Sequence, residues 1–341
     1  MSTLNLDSAN SENTINQPLQ TISGVPNPKN TSKNKNKKRK KQRLNQKKNL
    51  VAHTLNDFLK QQLPERDYLL EPVFPTQSLS MIYAPRGIGK TFFAMHLAYT
   101  IATDGNLFSW KSVKPRKVLY LDGEMPANVL QERFLTIKKT GSKKKNHVGN
   151  LCVVAQELQN EGMPDLASLS GQKKYNKLVK DVDLIIVDNI STLCRASAEN
   201  NADEWVIVSE WLLKMRRLGK SVVLIHHSGK SGMQRGTSKR EDILDIVIAL
   251  KPTKDESPTG ATFEVHFEKS RHLSGDQTKP FVASLQNGTW THIPLEDDRQ
   301  ARIVKMHKDG LKQIEIAEHL GINKSTVSRC LSKAKREGIT F

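Results

Sequence analysis

Apolar residues recur along this chain in short continuous runs, each followed by a polar turn and, in most cases, by a stretch with helical spacing. The runs are LSMIYA (79–84), VLYLD (118–122), LCVVA (151–155), LIIVD (184–188) and VVLIHH (222–227). Unbroken runs of this length predict strands, VLYLD a buried one. The stretch TFFAMHLAYTIA after Lys90, residues Ala127 to Lys138 and residues Trp205 to Leu218 carry helical spacing, and Tyr175 to Lys180 predicts the end of another helix. Farther on, IVIALKP and TFEVHFEKSR predict two strands joined through the Pro/Gly-rich DESPTG. Thr54 to Leu70 predicts a helix, EPVFPTQ a turn, QELQNEGMPDLASLSGQ an insertion, and DGNLFSWKSVKPR a loop. KKTGSKKKNH, with Lys143, Lys144 and Lys145, predicts a surface loop. Strands alternating with helices give an α/β fold with a mainly parallel sheet, and chemistry is expected at the carboxyl ends of its strands.

The first of those strand ends is the most specific. Ala84-Pro85-Arg86-Gly87-Ile88-Gly89-Lys90-Thr91-Phe92 joins a strand to a helix in the order of a P-loop. Backbone N–H groups from Gly87 to Thr91 would cradle phosphate, helped by the positive end of the helix. Lys90 would reach the β/γ-phosphates, and the Thr91 hydroxyl would hold Mg²⁺. The pattern normally opens on Gly; here Ala84 stands there, which fits a tight turn only if its φ stays negative. Other strand ends supply acids and imidazoles. Asp188 would hold the metal's hydration shell beside Thr91. Glu124 is favoured as the group that orients or deprotonates the attacking water, with Asp122 its competitor. His226 and His227 end a third strand and are expected to face the same cleft and sense the γ-phosphate.

Composition widens the picture beyond a nucleotide site. The chain of 341 residues has a formal net charge of +18, which favours polyanionic partners, nucleic acid first. About half of that charge falls between Lys33 and Lys48, in a Ser/Asn/Gln-rich tail of 50 residues that is expected to be disordered. It serves either as a phosphate-neutralising arm or as a solubilising tail. No apolar run is long enough to span a bilayer and no signal peptide is evident, so no membrane partner and a cytoplasmic location are expected. Cys152, Cys194 and Cys330 lack metal-ligand spacing and are expected to be free thiols.

A second unit follows PLEDDRQ. Ala301 to Lys308 predicts a helix, and LKQIEIAEHLGINKSTVSRCLSKAKREG fits helix-turn-helix spacing. Ala317 falls where two helices pack closely, Gly321 where the turn needs a left-handed residue, and Ile322 and Val327 on the buried face. Lys324, Ser325, Thr326, Ser328 and Arg329 are left for the major groove and phosphates of DNA. The alternative is a small protein-binding helical module.

Taken in order, GKT, LDGEMP, LIIVDN, LIHHSGK, QRGTSKREDILD and FEKSR resemble the RecA-like ATPases of the RepA group, plasmid-type hexameric replicative helicases more distantly related to DnaB and KaiC. The resemblance covers residues 65 to 285. It implies a RecA-like P-loop ATPase core that forms a homo-oligomeric, hexameric ring with sites between subunits, using ATP and Mg²⁺ and acting on DNA. Residue by residue it supports Lys90 and Thr91, Glu124 as catalytic base, Asp188 as second acid and His227 as sensor. Arg235, or Lys269 and Arg271, would be the finger reaching a neighbour's γ-phosphate, and Lys230 would instead touch DNA in the central channel. The expected organisation is a basic arm (1–50), the ATPase domain (51–295) and a small all-α helix-turn-helix domain (296–341). The competing expectation is an ATP-controlled oligomeric DNA-binding regulator without helicase activity.

Overall fold

The computed structural model describes residues 50–63, 65–141, 145–195, 202–229, 241–253 and 260–340. The chain divides into two units at Pro64/Glu65. The basic arm and Lys143, Lys144, Lys230 and Arg235 lie outside the described residues.

In the N-terminal unit the described structure is a short helix, α1 (Leu55–Leu59), whose Asp57 N–H donates to the Thr54 side chain. The helix expected to continue to Leu70 stops there. None of its residues is buried, so no packing extends a segment too short to hold itself helical in water.

The second unit begins where that expectation fails. Tyr68–Leu70 is a strand, β1, paired with β2 (Phe74–Pro75), because Leu69 and Leu70 are drawn into the core. Among the described residues the main sheet has nine strands. These are β3 (Leu79–Ala84), β6 (Val118–Asp122), β7 (Leu151–Ala155), β8 (Leu184–Asp188), β9 (Ser221–His227), β10 (Ile246–Pro252), β11 (Ala261–Ser270), β12 (Phe281–Gln286) and β13 (Thr289–Pro294). Their order is β13-β12-β11-β10-β3-β9-β8-β6-β7. From β10 through β7 the neighbours are parallel, and β11 to β13 extend the sheet antiparallel. Burial follows direction. Every residue of β3, β6 and β8 is buried, whereas β11 alternates over its first half. Central parallel strands are covered on both faces, and an antiparallel edge is free to present one polar face.

Two apolar clusters fill the two faces. One gathers α2 (Lys90–Thr103) and α3 (Ala127–Thr140); the other gathers the helix before β8, α4 (Leu169–Tyr175), then α5 (Ile190–Leu193) and α6 (Ala202–Arg217). Helix α4 lies one turn earlier than expected, since Ser168 caps it by accepting from the Gly171 N–H. The predicted loop 104–116 contains a small hairpin, β4 (Asn106–Leu107) and β5 (Trp110–Lys111). Its Phe108 and Trp110 join an aromatic cluster with Phe93, Phe263, Phe281 and Trp290. Burying each such ring is worth roughly 1.5–3 kcal/mol, enough to order a loop that polarity alone would leave loose.

Three helices end the chain: α7 (Leu295–Lys308), α8 (Gln313–Leu320) and α9 (Lys324–Arg336). Helix α7 starts before the expected Ala301, with Leu295 buried and Glu296, Asp297 and Asp298 in the first turn, where the helix dipole favours acids. Ile303, Val304, Ile316, Ala317, Val327, Leu331 and Ala334 form a third cluster of their own. Among the described residues no helix is long and apolar enough to cross a membrane.

Candidate nucleotide-binding and DNA-binding sites

Parallel strands β3, β9, β8 and β6 stand side by side, so their carboxyl ends converge. A cleft of about 390 Å³ lies there, lined among others by Gly89, Lys90, Thr91, Glu124, Asp188 and His227. Lys90 and His227, 137 residues apart, thus meet in one cleft because strand register aligns Ala84 with His227 and Asp122 with Asp188.

The loop begins at its least expected letter. Ala84 is fully buried as the last residue of β3, and its carbonyl accepts from the Ser228 N–H. Its φ is not positive, so Ala serves where the pattern usually has Gly. Positive φ is needed farther on, at Gly87 (φ 80°) and Gly89 (φ 108°). Gly89 also lies against β11; an added Cβ there would come 2.4 Å from the Ala261 Cβ. Lys90 is buried and its Nζ donates to the Pro85 carbonyl at 2.6 Å. Burial lowers its pKa to about 8, opposed by Asp188 and Glu124, with Arg86 adding to the lowering. Ile88 packs on the core rather than lining the cleft.

The acids divide by environment. Asp188 is buried, accepts from the Tyr120 hydroxyl at 2.6 Å and is hydrogen-bonded to Thr91. Burial raises its pKa to about 6, Asp122 and Glu124 adding to the rise and the two hydrogen bonds opposing it. Asp122 is also buried and pushed up, chiefly by burial. Its Oδ1 accepts from the Met125 N–H at 2.8 Å and the Glu124 N–H at 3.2 Å. Its Oδ2 is buried without a hydrogen-bond partner among the described residues. Two buried carboxylates and a hydroxyl, one oxygen still open, form the all-oxygen donor set that suits Mg²⁺. Glu124 is more than half exposed at the rim, accepting from the Asn189 Nδ2 and lying 3.7 Å from the His227 Nε2.

His227 lines the cleft, and burial with Lys90 nearby lowers its pKa. His226 does not join it. Strand alternation places His226 with Val222 and Leu224 on the opposite face, buried, correcting the expectation that both imidazoles share the cleft.

Three participants escaped the sequence reading. Tyr120 points inward from the same strand as Asp122. Arg133 lies 4.1 Å from the centroid of the Phe92 ring and lines the cleft. Asn189 follows Asp188 and caps α5; the N-x-x-T pattern of its capping box was the available signal. Lys269 and Arg271, in contrast, lie at the other end of the sheet. Lys269 pairs with Val247 near the start of β10, donates to the Glu241 carbonyl, and Arg271 donates to the Asp242 carbonyl at 2.8 Å.

At the C-terminus, Gly321 closes α8 in the left-handed conformation (φ 63°), and Ala317 and Val327 are buried as the spacing requires. Lys324, Ser325, Ser328 and Arg329 are exposed along α9 and Thr326 is half-buried.

Residues 45–233 match the family model described as AAA domain, and residues 294–341 match that of a Homeodomain-like domain. No curated protein matches the chain. Among solved structures, it is similar to a KaiC-like protein from Pyrococcus horikoshii OT3, at 18% identity over 66% of this chain and 94% of that one, with a TM-score of 0.47. It is also similar to the flagellar accessory protein FlaH from Methanocaldococcus jannaschii, at 17% identity over 62% of this chain and 87% of that one, with a TM-score of 0.45.

Proposed function

This chain belongs to the AAA domain family, and from that premise we propose that it is an ATP-hydrolysing, DNA-binding ring ATPase, a replicative helicase of a plasmid or mobile element. The observation that carries hydrolysis, beyond nucleotide binding, is the placement of Glu124 at the rim of the cleft that holds Lys90, Thr91 and Asp188. A carboxylate that is more than half exposed can reach water. Lys90 and the N–H groups of the loop bind the β/γ-phosphates, and phosphate charge beside the buried ammonium favours its protonated form. Mg²⁺, held through Thr91 and Asp188, would supply neutralisation of the phosphate charge. Glu124 takes the proton of the attacking water, and His227 meets the γ-phosphate.

Lys269 and Arg271 support a ring. Anchored at the sheet end away from the chain's own loop, they can serve as transition-state cations only for a neighbouring subunit's nucleotide. Residues 296–341 act as the DNA-recognition module through Lys324, Ser325, Thr326, Ser328 and Arg329.

DNA-stimulated ATP hydrolysis and displacement on a forked duplex test this reading together. Glu124→Gln is expected to lower hydrolysis by about 10²- to 10⁴-fold, the range of general-base catalysis, and abolish displacement. Wild-type hydrolysis without displacement would leave an ATP-controlled DNA-binding regulator.

A further inference from the structure

Asn189 is buried between the two groups assigned to water and γ-phosphate, and both ends of its amide are engaged. The Oδ1 accepts the Thr192 N–H at 3.3 Å, capping α5. That bond fixes which way the amide faces, because an Nδ2 group turned toward the helix N–H would meet a donor with a donor. The Nδ2 is thereby aimed into the cleft, where it donates to the Glu124 Oε2 and lies 3.3 Å from the His227 Nε2. Glu124 is otherwise an exposed side chain at a strand-to-helix turn with several rotamers open to it. Its backbone is already clamped, through the Asp122 Oδ1 that accepts the Glu124 and Met125 N–H groups. From β8's end, Asn189 constrains its carboxylate by a donated hydrogen bond, with the His227 Nε2 3.7 Å away on the other side.

We propose that Asn189 is a positioning residue for Glu124: its amide, oriented by the helix cap, selects the carboxylate rotamer that faces the attacking water and ties it to His227. The inference rests on the reading of the cleft as an ATP-hydrolysis site. Holding a base within a few tenths of an ångström of its productive place is worth orders of magnitude in rate and little in ground-state affinity. The phosphates are held by Lys90 and the loop, which Asn189 does not touch, so rate and binding should separate.

Two substitutions keep the cap and remove the donor. Asn189→Thr and Asn189→Ser both cap without adding charge, and both are too short to reach Glu124. Both are compared with wild type in the full-length protein by single-turnover ATP hydrolysis and by affinity for fluorescent ATP analogue. The expected result is a loss in rate of about 10- to 100-fold with affinity within about two-fold. In a Glu124→Ala background either substitution should change the residual rate by less than about two-fold, since a residue acting through Glu124 has nothing left to position. Thr192→Ala, which removes only the cap's partner side chain, should hydrolyse ATP as wild type does. Unchanged rate in Asn189→Ser, or an equal loss in the presence and absence of Glu124, overturns the proposal while leaving the ATPase reading intact. Wild-type hydrolysis by Glu124→Ala itself overturns both.

Discussion

The cleft and the C-terminal helices both present charge to a polyanion, yet they do so in opposite ways. In the cleft Lys90, Asp122 and Asp188 are buried against one another and each has its pKa displaced by burial. Along α9, Lys324 and Arg329 stand in water on the outer face of a helix whose other face is buried. Buried charges act strongly on a single ligand in a single place, because little solvent screens them. Exposed charges act weakly and additively, and salt weakens them further. A substitution in the first region should therefore change rate or fold, and one in the second should change affinity by increments.

The sharpest test of that contrast is Gly89→Ala. Its Cβ would come 2.4 Å from the Ala261 Cβ at a backbone φ of 108°, so a cost of about 2–4 kcal/mol and loss of nucleotide binding are expected. Gly87→Ala, at φ 80° with nothing within 4 Å of the added atom, should cost only about 1 kcal/mol. Thermal melts and nucleotide titrations of the pair measure the difference, and equal losses would show that contact with β11 does not matter.

A smaller effect separates the buried imidazole of α2 from exposed charge. Burial lowers His96 from 6.5 to about 4, with its ring edge-on to Trp290 at 5.8 Å. A depressed pKa means the folded state favours neutral His96. Its contribution is complete above about pH 6.5 and is lost as pH falls toward 4, up to about 3 kcal/mol. His96→Phe should flatten denaturation midpoints across that window. An unaltered slope would assign the acid sensitivity to other groups.

The smallest change belongs to the surface. Arg329→Ala should weaken duplex binding and reduce the slope of log affinity against log salt by about 1 while leaving ATP hydrolysis measured without DNA unaltered. A salt slope equal to that of wild type would remove Arg329 from the DNA-facing surface.

What could be read in the letters follows from which interactions are local. Buried strands such as LIIVD and VLYLD, the helix after Lys90 and the turn at Gly321 are set by short-range patterns, and the structure has each of them. So are Lys90, Thr91, Glu124, Asp188 and His227, each placed at a strand end by its own run and found around one cleft. The aromatic hairpin at Phe108 and Trp110 and the strand at Tyr68–Leu70 depended on partners more than 150 residues away or on a core not visible locally.

By itself the sequence determined the central buried strands and the helices that follow them, the phosphate loop and the residue types that end each of those strands, because hydrophobic periodicity and turn chemistry act over a few residues. Only the tertiary structure decided that His227 and not His226 enters the cleft, that Ala84 sits in extended backbone where glycine is unnecessary, and that Asn189 joins Glu124 to His227. Those outcomes depend on which face of a strand meets which neighbour, and strand order and register exist only once the sheet has formed.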